Sequence, residues 1–183
     1  MKAERLEIPD VILVTPDRYD DERGFFSETW RQDRFAAAGI DLAFVQDNQS
    51  LSRDKGVVRG LHCQIDPHAQ GKLVRVVSGA IWDVAVDARR GSPTLGKWVA
   101  AELSAENWQQ LWIPPGFLHG FCTLTPDTEV IYKVTDIYNR EAERGVLWND
   151  PDLALPWPVA NGDAVLSKKD KTLPTWSETG ALF

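Results

Sequence analysis

The feature that most constrains the fold of this chain is a series of short β-type runs at roughly ten-residue intervals. Glycine and proline fall between most of the runs, as at Gly91-Ser92-Pro93 and Pro114-Pro115-Gly116. Many short strands with regular turn signals are typical of an all-β sandwich or barrel. The candidate strands are residues 11–14, 24–28, 44–49, 57–64, 72–77, 81–86, 97–103, 109–113, 120–124 and 129–136.

Helical signals are few. Only residues 30–38 read clearly as a helix, with Ser27 or Thr29 as its possible cap and Gly39 as its stop. The C-terminal third from Trp148 is rich in proline, tryptophan and asparagine and is predicted to be irregular. No repeat, linker or low-complexity tract divides the chain, so residues 1–183 are predicted to form a single domain.

Two of the candidate strands carry polar residues at alternating positions. In residues 81–87, alternation places Asp83 and Asp87 on one strand face, opposite a face of large apolar side chains. In residues 130–136, Tyr132 shares its face with two valines, while Lys133 points the opposite way. We expect polar residues placed in this way to line the interior of the barrel.

The charge and the cysteine content exclude several classes of function. A net charge of −7 argues against nucleic-acid binding, although a few basic residues in one cleft can still hold a diphosphate. The longest apolar runs span only a few residues, and the N-terminus does not resemble a signal peptide, so no membrane association is expected. Two cysteines do not make a disulfide framework, so a cytoplasmic location is expected.

The three histidines are few enough to consider one by one. His68 lies in a predicted surface loop, where a solvent-facing role is expected. His119 follows Pro114, Pro115 and Gly116 at the spacing of the P-x-G-x-x-H element of cupin barrels. The other cupin element normally supplies an H-x-H pair, and its counterpart here is His62-Cys63-Gln64. Because a catalytic metal site usually needs three protein ligands, we expect neither a metal nor a cofactor.

A zinc site built from His62, Cys63, His119 and Cys122 is the alternative for these residues. Adjacent residues of a strand point to opposite faces, so His62 and Cys63 cannot face the same metal ion. The two cysteines are therefore predicted to act as small packing residues.

Several segments together carry a more specific resemblance. Val58-Arg59-Gly60-Leu61-His62 and Ile113-Pro114-Pro115-Gly116-Phe117 are two of them. Because these segments occur in the order and spacing of the family, the chain resembles the dTDP-4-dehydrorhamnose 3,5-epimerase family, the nucleotide-sugar epimerase branch of the cupins. The resemblance implies a cupin-type jelly-roll barrel with one or two short helices, assembled as a homodimer. The other matching segments are residues 21–28, 44–48, 71–75, 83–87, 90–94, 132–135, 148–151 and 166–170.

Two positions depart from the family pattern. Gln49 stands where the family often has histidine, and Cys63 stands where it usually has tyrosine. Neither is a residue that the family uses for proton transfer, but Gln49 is expected to alter the contacts to the sugar.

The resemblance also implies a reaction and residues to perform it. The 4-ketone of dTDP-4-dehydro-6-deoxyglucose acidifies the hydrogens on C3 and C5, and inversion at both carbons gives dTDP-4-dehydro-L-rhamnose. Inversion needs a base and an acid on opposite sides of the ring. An imidazole titrates near pH 6.5 in the absence of perturbation, which suits His62 to the role of base, with Asp170 as its partner. A phenol is neutral at this pH, which suits Tyr132 as the acid, with Tyr138 as a substitute.

The remaining site residues are also assigned by resemblance. Lys72 is expected to stabilise the enolate oxygen, helped by His119 with Asp83 behind it. Planar guanidinium groups suit a diphosphate, so Arg23 and Arg59 are expected to hold it. The other expected substrate contacts are Glu28, Gln46 and Asn48 at the thymine edge, then Tyr138, Glu143 and Lys169, with Lys168 as the alternative to Lys169.

Three other functions remain open from the residues. The nearest is a sibling enzyme that inverts only C3 or C5, or a keto-isomerase. A metal-dependent cupin such as a dioxygenase is the second, and a non-catalytic sugar-binding cupin is the third.

Overall fold

Antiparallel strands make up most of the computed structural model, which describes residues 1–183. The strands are β1 (Lys2–Arg5), β2 (Ile12–Thr15), β3 (Arg18–Asp21), β4 (Gly24–Ser27), β5 (Gln46–Ser52), β6 (Val58–Gln64), β7 (Lys72–Ser78), β8 (Ala80–Asp87), β9 (Trp98–Ser104), β10 (Gln110–Ile113), β11 (Phe117–Thr123), β12 (Thr128–Val134) and β13 (Glu143–Gly145). The helices are α1 (Gln32–Ala37) and α2 (Trp176–Thr179), and Asp170–Thr172 forms a 3-10 turn.

The strands form two main sheets and a separate hairpin. The first sheet has the order β1-β2-β10-β7-β12-β5, and the second has the order β13-β6-β11-β8-β9. Strands β3 and β4 pair only with each other. Two antiparallel sheets that face each other with non-sequential strand order form a jelly roll of the cupin type, so the predicted all-β fold is confirmed.

The space between the sheets holds the largest apolar cluster. Val74 and Val130 of the first sheet pack there with Ala85 and Phe121 of the second. Asp83 of β8 points to the same side as Ala85 and is fully buried. The predicted alternation of residues 81–87 is therefore confirmed, and it carries a carboxyl group into the interior.

Segments outside the sheets cover their outer faces. Phe35 of α1 packs against Leu73 and Trp112 on the outer face of the first sheet. Irregular C-terminal chain covers the second sheet, where Trp157 and Phe183 pack in the cluster that contains Leu118. The predicted irregular segment from Trp148 is confirmed, and its packing brings Asp170 next to β6.

The predicted helix begins later than expected. It starts at Gln32, and Arg31 at its N-cap makes no side-chain capping bond, so neither Ser27 nor Thr29 caps it. The Ser27 hydroxyl instead donates to the carbonyl of Asp17 and accepts a hydrogen bond from Trp108. No helix is long and apolar enough to span a membrane.

Candidate active site

Both sheets contribute to a cleft between them. A cavity of about 260 Å³ is lined by His62 and His119 from the second sheet, Lys72 and Tyr132 from the first, and Asp170 from the C-terminal segment. An adjoining cavity of about 150 Å³ shares His62, Lys72 and Tyr132 with it. The two cavities form one continuous cleft, called the cleft below.

Two glycines allow the histidine-bearing strands of the cleft to meet. His62 of β6 and His119 of β11 lie opposite each other in the register of the second sheet. A Cβ atom on Gly60 would lie 2.5 Å from the Cα of Gly120, and Gly60 has a φ of +126°. Any side chain at this position would clash with β11 in a backbone conformation that L-residues rarely adopt. Gly60 is therefore required for the approach of these strands.

His62 is paired with a buried carboxylate. Its Nε2 lies 2.6 Å from Oδ1 of Asp170, whose side chain is almost completely buried. Burial alone would raise the pKa of Asp170, but the hydrogen bond and charge of His62, together with Ser167 and Lys169, outweigh it and the pKa is lowered. An ionised carboxylate only accepts hydrogen bonds, so Nε2 carries the hydrogen and Nδ1 is left free to take a proton.

Tyr132 reaches the cleft from the opposite sheet. It lies on β12, and burial raises the pKa of its hydroxyl above the ordinary value. The phenol therefore stays protonated at neutral pH. The base candidate and the acid candidate stand on facing walls of the same cleft.

The floor of the cleft holds a lysine and a second His–Asp pair. Lys72 donates from Nζ to the carbonyl oxygen of His62 at 3.3 Å, and it makes no ion pair with a carboxylate. Burial lowers the pKa of Lys72. Nε2 of His119 lies 2.6 Å from Oδ1 of Asp83, and burial lowers the pKa of His119 although Asp83 opposes this. Oδ2 of Asp83 is buried without a partner.

Polar groups surround the mouth of the cleft. Arg59 donates from Nε to the Ser52 hydroxyl and from Nη2 to the Leu51 carbonyl, each at 3.2 Å. The amide of Gln46 donates to the side-chain oxygen of Asn48 at 2.7 Å. Both of these amides line the cleft.

One carboxylate joins the remaining mouth residues. Glu143 accepts a hydrogen bond from the Tyr138 hydroxyl at 3.0 Å and pairs with Nζ of Lys169 at 2.5 Å. Burial would raise the pKa of Glu143, but these two partners hold it below the usual value. Lys169 lines the cleft, and Lys168 does not.

Arg23 and Glu28 are the two expected substrate contacts that lie away from the cleft. The Arg23 side chain is 90% exposed in the turn of the β3–β4 hairpin and pairs only with Asp21. Glu28 follows the same hairpin and lies beside Arg31 and Arg34. Within one chain, neither residue lines the cavity that holds His62.

The two departures from the family pattern occupy different places beside the cleft. Gln49 donates to Oε1 of Glu129 at 2.6 Å and lines a neighbouring cavity that shares Asn48 and Tyr132 with the cleft, so its effect on the sugar contacts stays a prediction. Cys63 packs in the cluster on the outer face of the second sheet and also borders the smaller cavity of the cleft, and burial raises the pKa of its thiol to about 12. Cys63 and Cys122 are free and buried.

The residues at the cupin metal position do not fit a metal ion. The side-chain amide of Gln64 is bonded to backbone groups of His68, Ile137 and Asn139. No group of three or more His, Cys, Asp or Glu side chains is arranged to hold a metal. We therefore derive no step through a metal ion.

Some residues of the cleft were not among the expected site residues. Ser50, Phe121 and Ser167 line the cavity beside the expected residues. The Ser167 hydroxyl accepts a hydrogen bond from the backbone of Asp170, and its place beside the Lys168–Asp170 segment was the one available clue. Serine and phenylalanine within strands are too common to single out.

Comparison with known proteins points to one family. Residues 5–178 match the family model described as dTDP-4-dehydrorhamnose 3,5-epimerase. The chain is 53% identical over 171 residues to the dTDP-4-dehydrorhamnose 3,5-epimerase of Shigella flexneri, covering 93% of each protein.

Two solved structures are also similar to this chain. The crystal structure of a dTDP-6-deoxy-D-glucose-3,5-epimerase from Legionella pneumophila in complex with dTDP-4-keto-L-rhamnose has a TM-score of 0.92 and 43% identity, covering 100% of this chain and 98% of that one. A 3′-monoepimerase from Streptomyces bikiniensis in complex with dTDP-quinovose has a TM-score of 0.88 and 33% identity, covering 95% of this chain and 87% of that one.

Proposed function

This chain belongs to the dTDP-4-dehydrorhamnose 3,5-epimerase family, and on that premise we propose how its cleft performs the epimerisation. The substrate is dTDP-4-dehydro-6-deoxyglucose, and the product is dTDP-4-dehydro-L-rhamnose. The observation that carries the proposal is the placement of His62 and Tyr132 on facing sheets across one cavity. A sugar ring held between them has a base on one face and an acid on the other.

His62 begins each inversion. Its Nδ1 takes the proton from C3 or C5, and the electron pair of the broken C–H bond moves into the 4-keto group to form an enolate. The Asp170 carboxylate, 2.6 Å from Nε2, stabilises the imidazolium that results. Its burial and its lowered pKa keep it ionised throughout the reaction.

Tyr132 completes each inversion. Its hydroxyl gives a proton to the same carbon from the opposite face, and the electron pair of the enolate returns to form the new C–H bond. The ring carbon then has the inverted configuration, while the enzyme holds a protonated His62 and a Tyr132 phenolate. Transfer of one proton from His62 to Tyr132 through solvent restores the starting state.

Lys72 stabilises the enolate oxygen in this scheme. Lys72 lines the cleft without a carboxylate partner; burial lowers its pKa, and the negative charge that develops on the enolate oxygen favours its ammonium form. Preorganised charge of this type commonly contributes about 3–4 kcal/mol to the stability of a transition state. His119 stands beside Lys72, with Asp83 fixing its ring.

The mouth of the cleft holds the nucleotide. Arg59 lies beside the sugar cavity and has donors free for the diphosphate. Gln46 and Asn48 offer amide groups to the thymine edge, and Tyr138 presents a half-exposed ring next to them. Glu143 and Lys169 form a charged pair at the same mouth.

We further propose that the single-domain chain works as a homodimer. The β3–β4 hairpin exposes Tyr19, Phe25 and Phe26, whose exposed fractions are 58%, 51% and 68%. Strand β5 forms an open edge of the first sheet, which is a natural site for strand addition from a second chain. A hairpin from the partner would bring a second Arg23 to the mouth of the cleft. The two free cysteines fit a reducing cytoplasm.

Incubation with dTDP-4-dehydro-6-deoxyglucose in deuterated water tests the function. We expect deuterium at both C3 and C5 and the L-rhamno configuration by NMR, with activity retained after exhaustive chelation. Deuterium and inversion at one carbon alone would establish the single-centre alternative. Loss of activity on chelation with recovery on adding a divalent metal would establish the metal-dependent alternative. Unchanged substrate from a protein that binds dTDP would contradict epimerisation.

A further inference from the structure

Gln64 occupies a buried position that proton transfer does not require. It is the last residue of β6, two residues after His62, and it is 3% exposed. Its side-chain nitrogen donates to the carbonyls of His68 at 2.8 Å and Ile137 at 3.2 Å. Its side-chain oxygen accepts a hydrogen bond from the backbone of Asn139 at 2.7 Å. The Gln64 amide therefore joins the loop that follows β6 to the loop that follows β12.

The contacts of Gln64 surround Tyr138. Ile137 and Asn139 are the residues directly before and after it, so Gln64 holds the chain on both sides of this tyrosine. The Tyr138 ring is half exposed and stands at the mouth of the cleft. The backbone of Tyr138 donates to the Gln46 side chain, and its hydroxyl donates to Glu143.

A second glutamine supports the same loop. Gln70 donates to the carbonyl of Asp136 at 2.7 Å. Nδ1 of His68 lies 3.2 Å from a carboxylate oxygen of Asp136. The loop between β12 and β13 is therefore tied to β6 and to the segment before β7 by side-chain amides, with no strand pairing of its own between Ile137 and Ala142.

We propose that Gln64 is a positioning residue that fixes Tyr138 at the mouth of the cleft and so sets the affinity for the nucleotide end of the substrate. This rests on the proposed function in placing the nucleotide beside Tyr138. Buried donors and acceptors that are all satisfied make a rigid support, whereas a lost donor leaves two carbonyls without partners. The loop between β12 and β13 then moves, and the Tyr138 ring moves with it.

The test is a double-mutant cycle between Gln64→Glu and Tyr138→Ala, read out as the dissociation constant of dTDP by calorimetry. Gln64→Glu keeps the shape and the acceptor for Asn139 but removes both donated bonds. We expect it to raise the dissociation constant about tenfold and to leave kcat at saturating substrate within twofold. In the Tyr138→Ala background the same change should have no further effect on dTDP binding.

Asn107→Asp is the matched control, because the Asn107 amide also makes three bonds to backbone groups, in the turn between β9 and β10. It should leave dTDP binding unchanged. Unaltered dTDP binding in Gln64→Glu, or an equal further loss in the Tyr138→Ala background, would overturn the proposal. So would a loss of kcat with unaltered binding.

If Gln64→Glu does not fold, Gln70→Leu gives a milder test, because it releases only the Asp136 carbonyl. A smaller rise in the dissociation constant, absent in the Tyr138→Ala background, supports the proposal, and no rise overturns it. Because dTDP binding involves no chemistry, these results stand apart from whether the wild-type protein epimerises its substrate.

Discussion

Burial and hydrogen bonding determine which titratable groups of the cleft carry a proton. The Asp170 carboxylate keeps its charge because of its bond to His62, and it thereby directs the free Nδ1 of His62 to the substrate. The Tyr132 phenol keeps its proton because burial raises its pKa. Burial lowers the pKa of Lys72, whose amine donates to the carbonyl oxygen of His62. The pKa of Asp170 is lowered while that of Tyr132 is raised. Neighbouring groups whose pKa values are shifted in opposite directions are typical of a site for acid–base catalysis.

Arg59 provides a prediction for a single residue. Replacing it by alanine removes charged hydrogen-bond donors beside the cavity, so dTDP binding should weaken by about 2–3 kcal/mol in calorimetry. Arg53→Ala is the control, because Arg53 is exposed, pairs with Asp127 and does not line the cavity. A dissociation constant within twofold of the wild-type value would contradict a diphosphate contact.

At the scale of strands, close contact between β6 and β11 holds the two histidines together. Their contact depends on Gly60 and Gly120, which have no side chains to separate the backbones. The strand pair in turn brings His62 and His119 into register. A change at Gly60 should therefore affect the stability of the fold and the geometry of the cleft together.

Gly60→Ala should lower the free energy of unfolding by about 2–4 kcal/mol, because the added Cβ meets the backbone of Gly120 at a positive φ. Urea denaturation measures the change. Gly162→Ala is the control, since a Cβ there would have no atom within 4 Å, and its effect should stay within about 0.5 kcal/mol. Equal effects of the two substitutions on the free energy of unfolding would contradict the requirement for Gly60, because β6 and β11 would then tolerate a wider separation.

Strands that contain apolar residues could be predicted from the sequence, and short, polar, exposed strands could not. Asp83 gave a clear signal because it lies between the apolar residues Trp82 and Val84 on β8. All four residues of β1 and of β3 are exposed, so no burial pattern marked these strands. Resemblance supplied the pairing of His62 with Asp170, because spacing alone does not relate residues 108 positions apart. The support given by Gln64 depends on loop contacts that no local pattern encodes.

At the scale of the whole molecule, one chain supplies the proposed acid, base and enolate partner but leaves Arg23 outside the cleft. The exposed aromatic residues of the β3–β4 hairpin and the open edge at β5 are consistent with exchange of this hairpin between two copies. In such a dimer, each cleft takes its Arg23 from the other protomer.

Mixing two inactive variants tests this exchange. A protomer with Arg23→Ala keeps its own His62, and a partner with His62→Ala still supplies Arg23. After the subunits exchange, half of the dimers should be mixed and should carry one intact site, which restores about one quarter of the wild-type activity. Each variant alone should stay far below that level. If the mixture is no more active than its components, Arg23 does not act on the partner's cleft.

Deuterium uptake by recovered substrate tests the central claim most directly, because it separates proton removal from inversion. In deuterated water, His62→Ala should show neither exchange at C3 and C5 nor inversion. Tyr132→Phe should also fail to invert, but mass spectrometry should find deuterium in its recovered substrate, because His62 can still remove a proton and return a deuteron to the same face. Full exchange in His62→Ala, or normal inversion in Tyr132→Phe, would contradict the assignment of base and acid.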